Sequence, residues 1–386
     1  MKLLAYLHGY PSVHNAGAEY AMHGVLSWLA ARGHQVTVYA SSRAQDGILD
    51  GVRVVTRVAN QEALFCEHDM VFTHLDNTKP CVALAERTGL PVVHYVHNDA
   101  QLTFHKIQDG GKRCFVIFNT YWIAEKTKWS GPHCIIRPPV DAARYQTKLS
   151  AESKYVTLIN MDDNKGGKLF WYCAKRLPQV KFLAVKGSYG RQVIEPIRPP
   201  NVTVLENTPN VRDDVYARTR VLLVPSKYES WGRVAMEAAC SGIPIIANPT
   251  PGLLECLGDD GLFVPREDLT AWVQAIGTLT RDKAAWQQAS IAVKARFKEN
   301  AAAIESELEH FESRLPEIVA MGQAVASPYR IGDTRTFYLA AYPNLRIGPP
   351  YDVRFEGGVF TTNNPEAIAL LRRCYAAVGL REEVAR

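Results

Sequence analysis

The sequence contains no apolar run of the ~18 residues needed to cross a bilayer. Its opening, Met1-Lys-Leu-Leu-Ala-Tyr-Leu-His-Gly9, carries one Lys and no small-residue cleavage site. It reads as a first buried strand rather than a secretory leader, and a cytoplasmic protein is expected. No two of the eight cysteines are separated by two residues, as zinc-binding or redox pairs would be. Most lie in apolar contexts such as Arg113-Cys-Phe-Val-Ile-Phe118 and read as small buried thiols without disulfides. No G-x-G-x-x-G follows a strand, and no G-x-x-x-x-G-K-[ST], H-E-x-x-H or G-x-S-x-G occurs. No two aspartates are separated by a single residue, so an Asp-x-Asp site for a metal-bridged diphosphate is absent. Neither sign of charge dominates: 44 Lys+Arg against 39 Asp+Glu give +5, too weak a balance to establish nucleic-acid binding.

What is present is an alternation of strands and helices. At ~150 residues per domain, 386 residues predict two domains and a remainder. Leu3–Leu7 is a short apolar run. Met22, Val25, Leu26 and Leu29 then recur at helical spacing, Gly33 supplies a stop, and Val36–Ala40 is the next strand. Further strands are expected at Met70–Thr73, Val92–Val96, Phe115–Phe118 and Cys134–Ile136. The stretch from Arg137 to Lys154 breaks the pattern and reads as a linker. The pattern restarts at Tyr155–Ile159, with later strands at Lys181–Val185, Val202–Leu205, Val221–Val224 and Ile243–Ala247. Such alternation implies doubly wound parallel sheets, an α/β fold. Ile304, Leu308, Phe311 and Leu315 mark an amphipathic helix whose acidic side reads as solvated. The last ~60 residues, with strands at Arg335, Tyr351 and Val359, a Gly357-Gly358 hairpin turn and a helix from Pro365, read as a small α+β appendage. The expected division is 1–148, 149–300, a helix at 301–325 returning to the first domain, and 326–386.

Four segments carry chemistry, each just beyond a strand, where α/β folds place ligands. Pro225-Ser-Lys-Tyr-Glu-Ser-Trp-Gly-Arg233 follows Val221–Val224. Its Glu229, with Glu237 in the following helix, offers two carboxylates that accept hydrogen bonds from sugar hydroxyls. Ser230, Trp231 and Gly232 are expected to open that helix and present unpaired N–H groups to an anion. The blander alternative makes Glu229 a helix-start charge and Glu237 a solvated residue. Asn160-Met-Asp-Asp-Asn-Lys-Gly-Gly167 follows Tyr155–Ile159, its Lys165 beside paired glycines being either a phosphate contact or part of a surface turn. Pro11 to Glu19, around Gly17, is a small-residue loop opening a helix. His97 follows Val92–Val96 and either points into a cleft or is structural.

In this order the segments resemble glycosyltransferase family 4, retaining enzymes of the GT-B fold. The resemblance covers about residues 1 to 320. It also rests on Leu29-Ala-Ala-Arg-Gly-His-Gln-Val-Thr-Val38, Ile136-Arg-Pro-Pro-Val-Asp141, Ser241-Gly-Ile-Pro-Ile-Ile-Ala247 and Gly252-Leu-Leu-Glu255. It implies two Rossmann-like domains facing across a cleft. It implies a UDP- or GDP-linked sugar donor, no bound metal or other cofactor, and transfer with retention to an acceptor hydroxyl. By that resemblance Lys165 contacts the donor diphosphate, helped by Gly166, Gly187 and the amides of Ser230 to Gly232. Glu229 holds sugar hydroxyls, Glu237 the ribose, and His97 and the Gly17 loop face the transferred sugar.

The sequence departs from the family pattern where Asn160 replaces an Arg five residues before Lys165; Lys186 or Arg191 is a candidate substitute. That departure keeps open a degenerate sugar-binding protein, and an epimerase on a similar fold is a further alternative. The acceptor is open. The appendage after Pro328 resembles small ones in phage-encoded proteins; with the net charge, Lys106, Lys112, Arg113, Lys126 and Lys128 raise a hydroxymethylated base in DNA as one acceptor, against a plain solvated surface.

Overall fold

The computed structural model describes residues 1–11, 13, 16–99, 113–188, 190–323, 335–341, 343–347, 353–362, 364–375 and 380–384. Two parallel sheets dominate it. The first has eight strands in the order Gly47–Leu49, Val52–Val55, Gln35–Ala40, Lys2–Leu7, Met70–Thr73, Val92–Val96, Cys114–Phe118 and His133–Ile135. Only its Gly47–Leu49 edge is antiparallel. The second has six parallel strands in the order Val202–Leu205, Lys181–Val185, Tyr155–Ile159, Thr219–Val224, Ile245–Ala247 and Leu262–Phe263. Met70–Thr73, Val92–Val96 and Cys114–Phe118 are buried at every position, as strands covered by helices on both faces must be.

Each sheet has one strand at which the order of connection reverses. Lys2–Leu7 pairs with Gln35–Ala40 on one side and Met70–Thr73 on the other. Tyr155–Ile159 pairs likewise with Lys181–Val185 and Thr219–Val224. The loops leaving such strands diverge to opposite faces and open a crevice at their C-terminal ends. The segments around Gly17 and around Asn160 leave these two strands.

A 41-residue helix, Lys283–Gln323, ties the two sheets together. Val293 packs in the core beside the second sheet, whereas Ile304, Leu308, Phe311, Leu315 and Ile318 enter the core of the first. Burying these five side chains contributes on the order of 10 kcal/mol before conformational entropy. The acidic side of this helix is not simply solvated. Glu307 holds Arg137 through Nη2 at 2.7 Å, Glu312 pairs with Arg32 at 2.6 Å, and Glu305 accepts from Trp28 Nε1 at 2.9 Å.

The C-terminal segment also differs from expectation. Val359–Thr362 pairs with Arg335–Tyr338, whose other edge takes Arg381–Val384; Val353–Arg354 pairs instead with Arg346–Ile347. The helix Pro365–Tyr375 packs its Leu370, Leu371 and Cys374 around Cys66 of the first unit. Cys66 and Cys374 are joined by a disulfide across 308 residues of sequence, which corrects the expectation that no cysteine pairs. The other six cysteines are free and buried.

Candidate active site

Between the sheets lies a cleft of about 740 Å³. From the first unit come Gly17 and Tyr20, and from the linker Asp141, Arg144 and Tyr145. Asn160, Lys165, Gly187, Ser226, Glu229, Arg233 and Glu237 come from the second. Six of the residues singled out in the sequence, Gly17, Asn160, Lys165, Gly187, Glu229 and Glu237, therefore meet on one surface.

Lys165 is delivered by a tight turn. Asp162 accepts from the Asn164 amide at 2.8 Å, and Gly166 takes φ +107°, a left-handed conformation that favours glycine. A side chain at Gly166 would also collide with Pro225. Arg266 braces the same turn by donating to the carbonyls of Asp163 and Pro225. The Lys165 ammonium then donates to Glu229, which also accepts from Ser226 Oγ at 2.9 Å. A cation and an acceptor of hydroxyl hydrogen bonds thus stand side by side at the mouth of the second sheet.

Asn160 adopts φ +67°, which Asn tolerates better than most side chains. Its Oδ1 accepts from Gln192 Nε2 at 2.9 Å and the Asp162 amide at 3.1 Å, while its Nδ2 is buried with no hydrogen-bond partner. Gly187 leaves room for it, since a Cβ there would overlap the Asn160 amide. Neither proposed substitute for the missing Arg reaches the cleft lining. Lys186 pairs with Glu206 at 2.6 Å, and Arg191 is exposed.

Glu237 is not a solvated helical residue. Its carboxylate pairs with Arg233 Nε at 2.9 Å and accepts from the Tyr216 hydroxyl at 2.7 Å. Burial raises its pKa above the ordinary carboxylate value, against the opposing pull of Arg233. Arg233 was not singled out in the sequence, although its four-residue spacing from Glu237 was the available signal. It also donates to the Pro139 carbonyl and, at 3.1 Å, to the Tyr145 hydroxyl, and it lies 5.3 Å from the Tyr20 ring. One guanidinium therefore spans second unit, linker and first unit.

Five expected site residues lie off the cleft surface. The helix begins at Arg233, with Gly232 as its left-handed cap (φ +108°), so Ser230, Trp231 and Gly232 precede it. Trp231 is 1% exposed and belongs to the core, which buries its large ring although its Nε1 has no hydrogen-bond partner there. Ser230 joins the units: its Oγ accepts from Asn119 Nδ2 at 3.0 Å and its carbonyl from Trp122 Nε1 at 2.8 Å. Glu255 adds to that contact by accepting from the Tyr121 and Trp122 amides. Gly166 acts through the turn just described. His97 is 8% exposed, 3.0 Å from His74 Nδ1, and packed on Tyr95. Burial first, and then His94, holds its pKa down at about 3, so the ring is neutral at physiological pH.

Of the cations considered for nucleic acid, Lys126 is committed to Asp99 and Lys128 is exposed. Arg113 is half-buried, and Lys106 and Lys112 lie outside the described residues. No helix among the described residues is long and apolar enough to cross a membrane.

This architecture is the GT-B fold, and solved structures of low sequence identity share it. Sucrose-phosphate synthase from Thermosynechococcus elongatus superposes with TM-score 0.66 at 18% identity, covering 82% of this chain and 100% of that one. The Anabaena HepE protein in complex with UDP-glucose superposes with TM-score 0.67 at 15% identity, covering 81% and 99%. Residues 154–282, which hold Asn160, Lys165, Glu229 and Glu237, match the family described as glycosyl transferases group 1. The likeness to that family is thus confined to residues 154–282, within a chain of GT-B fold. Among curated relatives, D-inositol 3-phosphate glycosyltransferase from Mycobacteroides abscessus is 32% identical over 190 residues, 42% of this chain and 42% of that protein. The protein of the same name from Corynebacterium glutamicum is 43% identical over 70 residues, 18% and 17%. The matched stretch therefore spans at most about two-fifths of these relatives' length.

Proposed function

We propose that this chain is a retaining glycosyltransferase of family 4, moving a sugar from a nucleotide-diphosphate sugar to an acceptor hydroxyl. The observation that carries the reading is the convergence of Lys165, Glu229 and Glu237 on one interdomain cleft within the matched domain. In this reading the donor lies along the second sheet. Glu237, oriented by Arg233 and Tyr216, accepts from the ribose hydroxyls. Lys165 turns from Glu229 to the diphosphate, and Glu229 is released to accept from the sugar. The Asn160 amide nitrogen supplies a neutral donor where the family has a cation. As the glycosidic C–O bond breaks, negative charge grows on the diphosphate, and a preplaced ammonium stabilises that charge more than the ground state. The diphosphate oxygen then takes the proton of the incoming acceptor hydroxyl on the same face, which retains configuration. No metal is assigned to the diphosphate, in keeping with the missing Asp-x-Asp.

The curated relatives above bear the name D-inositol 3-phosphate glycosyltransferase, so a phosphorylated polyol is the first acceptor to test. Incubation with UDP- and GDP-sugars tests the reading through release of free nucleotide diphosphate. Lys165→Ala and Glu229→Ala should each lower kcat by about 10²–10³ with unchanged circular dichroism. Full turnover in both variants would refute the site.

A further inference from the structure

Three side chains from separate elements converge at the C-terminal edge of the first sheet. His8 directly follows Lys2–Leu7, His74 directly follows Met70–Thr73, and Glu19 lies in the first turn of the helix Gly17–Ala31. One ligand atom from each falls within 4.8 Å of the other two. His8 Nε2 is already 3.1 Å from Glu19 Oε1. Glu19 is 1% exposed, and a carboxylate removed from water requires compensating positive charge or donors.

His74 supplies the decisive detail. It is fully buried, its Nδ1 is 3.0 Å from His97 Nε2, and its own Nε2 has no hydrogen-bond partner. If His97 donates in that contact, His74 Nε2 carries a buried hydrogen without an acceptor. If His74 Nδ1–H donates, Nε2 carries a lone pair ready to ligate. An imidazole whose other ring nitrogen is engaged by a neighbour is the usual outer-shell arrangement of a metal-bound histidine.

We propose that His8, Glu19 and His74 form a binding site for one divalent transition-metal ion of the zinc class, with His97 as the positioning residue that fixes the tautomer of His74. Two imidazoles and a carboxylate suit zinc and its neighbours, whereas magnesium and calcium take oxygen ligands. Three protein ligands leave a fourth position for water or a substrate oxygen. The site belongs to the first unit, apart from Lys165 and Glu229, and stands independently of the proposed transfer reaction.

The full chain, stripped with chelator and desalted, is titrated with ZnCl₂ by calorimetry, and its retained zinc is measured by mass spectrometry. About one equivalent should bind, and His8→Ala and Glu19→Gln should each weaken binding ~100-fold or more; His97→Gln, acting through His74, should weaken it ~10–100-fold. Zinc X-ray absorption of the unaltered chain should show nitrogen and oxygen neighbours at ~2.0–2.2 Å and no sulfur, a readout that does not depend on any variant folding. Failure of the unaltered chain to bind zinc would overturn the proposal. So would binding that both His8→Ala and Glu19→Gln leave unchanged, or a sulfur shell at ~2.3 Å.

Discussion

Arg233→Met removes a guanidinium that touches both units and the linker. Its side chain and that of Glu237 are 12% and 14% exposed, so the pair is poorly screened by solvent. Breaking a buried pair by deleting one partner costs about 3–5 kcal/mol, because the remaining charge is left uncompensated. The Tyr216 hydroxyl still donates to Glu237 and offsets about 1 kcal/mol. The bonds to Pro139 and Tyr145 are lost as well. A net loss of ~3 kcal/mol lowers Tm by roughly 6–12 °C for a unit of this size. The double variant Arg233→Met/Glu237→Gln leaves no buried charge and should recover more than ~1.5 kcal/mol of that loss. The pH dependence has a definite sign. Burial already raises the Glu237 pKa, and loss of Arg233 raises it further. Between its unfolded and folded values the folded state binds more proton, so stability falls as pH rises through that window. The Arg233→Met penalty should therefore shrink on acidification below that window. Thermal unfolding by circular dichroism of the singles and the double, across pH, measures all three effects. A single variant within ~0.5 kcal/mol of the parent, or strictly additive singles, would refute the reasoning.

Gly166→Ala should destabilise by on the order of 2 kcal/mol, from the left-handed φ and the Pro225 overlap, and should weaken nucleotide-sugar binding by displacing Lys165; calorimetry reads both. Cys66→Ser, or reduction of the unaltered protein, removes a cross-link worth on the order of 2–5 kcal/mol. Limited proteolysis should then cut the segment after residue 335 faster, while nucleotide-sugar affinity stays unchanged, because the bridge joins the appendage to the first unit away from the cleft. His97 stays neutral above pH 5, so kcat/KM should show no limb from it; a limb near the ordinary imidazole value of about 6.5 that vanishes in His97→Gln would contradict its burial.

Much of the fold is written in local pattern. Apolar runs such as Val92–Val96 and Cys114–Phe118 mark strands buried on both faces, and the stripe from Ile304 to Leu315 marks a helix face that enters the first core. The Lys165–Glu229 neighbourhood was legible for the same reason, since both follow strands that pair with each other. Burial of single side chains was not. Trp231 sits inside the richest motif, yet only the packing of the surrounding helices turns it into the core. His97 likewise ends a strand, but it is enclosed by His74 and Tyr95, residues far from it or beside it in sequence with no signal of their own. The Cys66–Cys374 bridge depends on docking two helices 308 residues apart, which no spacing rule anticipates. Arg233 fell between the two glutamates and drew no notice, although its bonds to Pro139 and Tyr145 tie the second unit to the linker.

The central claim, that the cleft holds a nucleotide-diphosphate sugar through Lys165 and Glu229, is tested most directly by thermal shift of the parent and the Lys165→Ala variant against UDP-, GDP-, ADP- and dTDP-sugars. A donor present at 100 times its Kd stabilises the folded state by about 2.7 kcal/mol, so the parent Tm should rise by several degrees with one nucleotide class. The rise should disappear in Lys165→Ala. No shift with any donor at millimolar concentration, or an equal shift in the variant, would contradict the account.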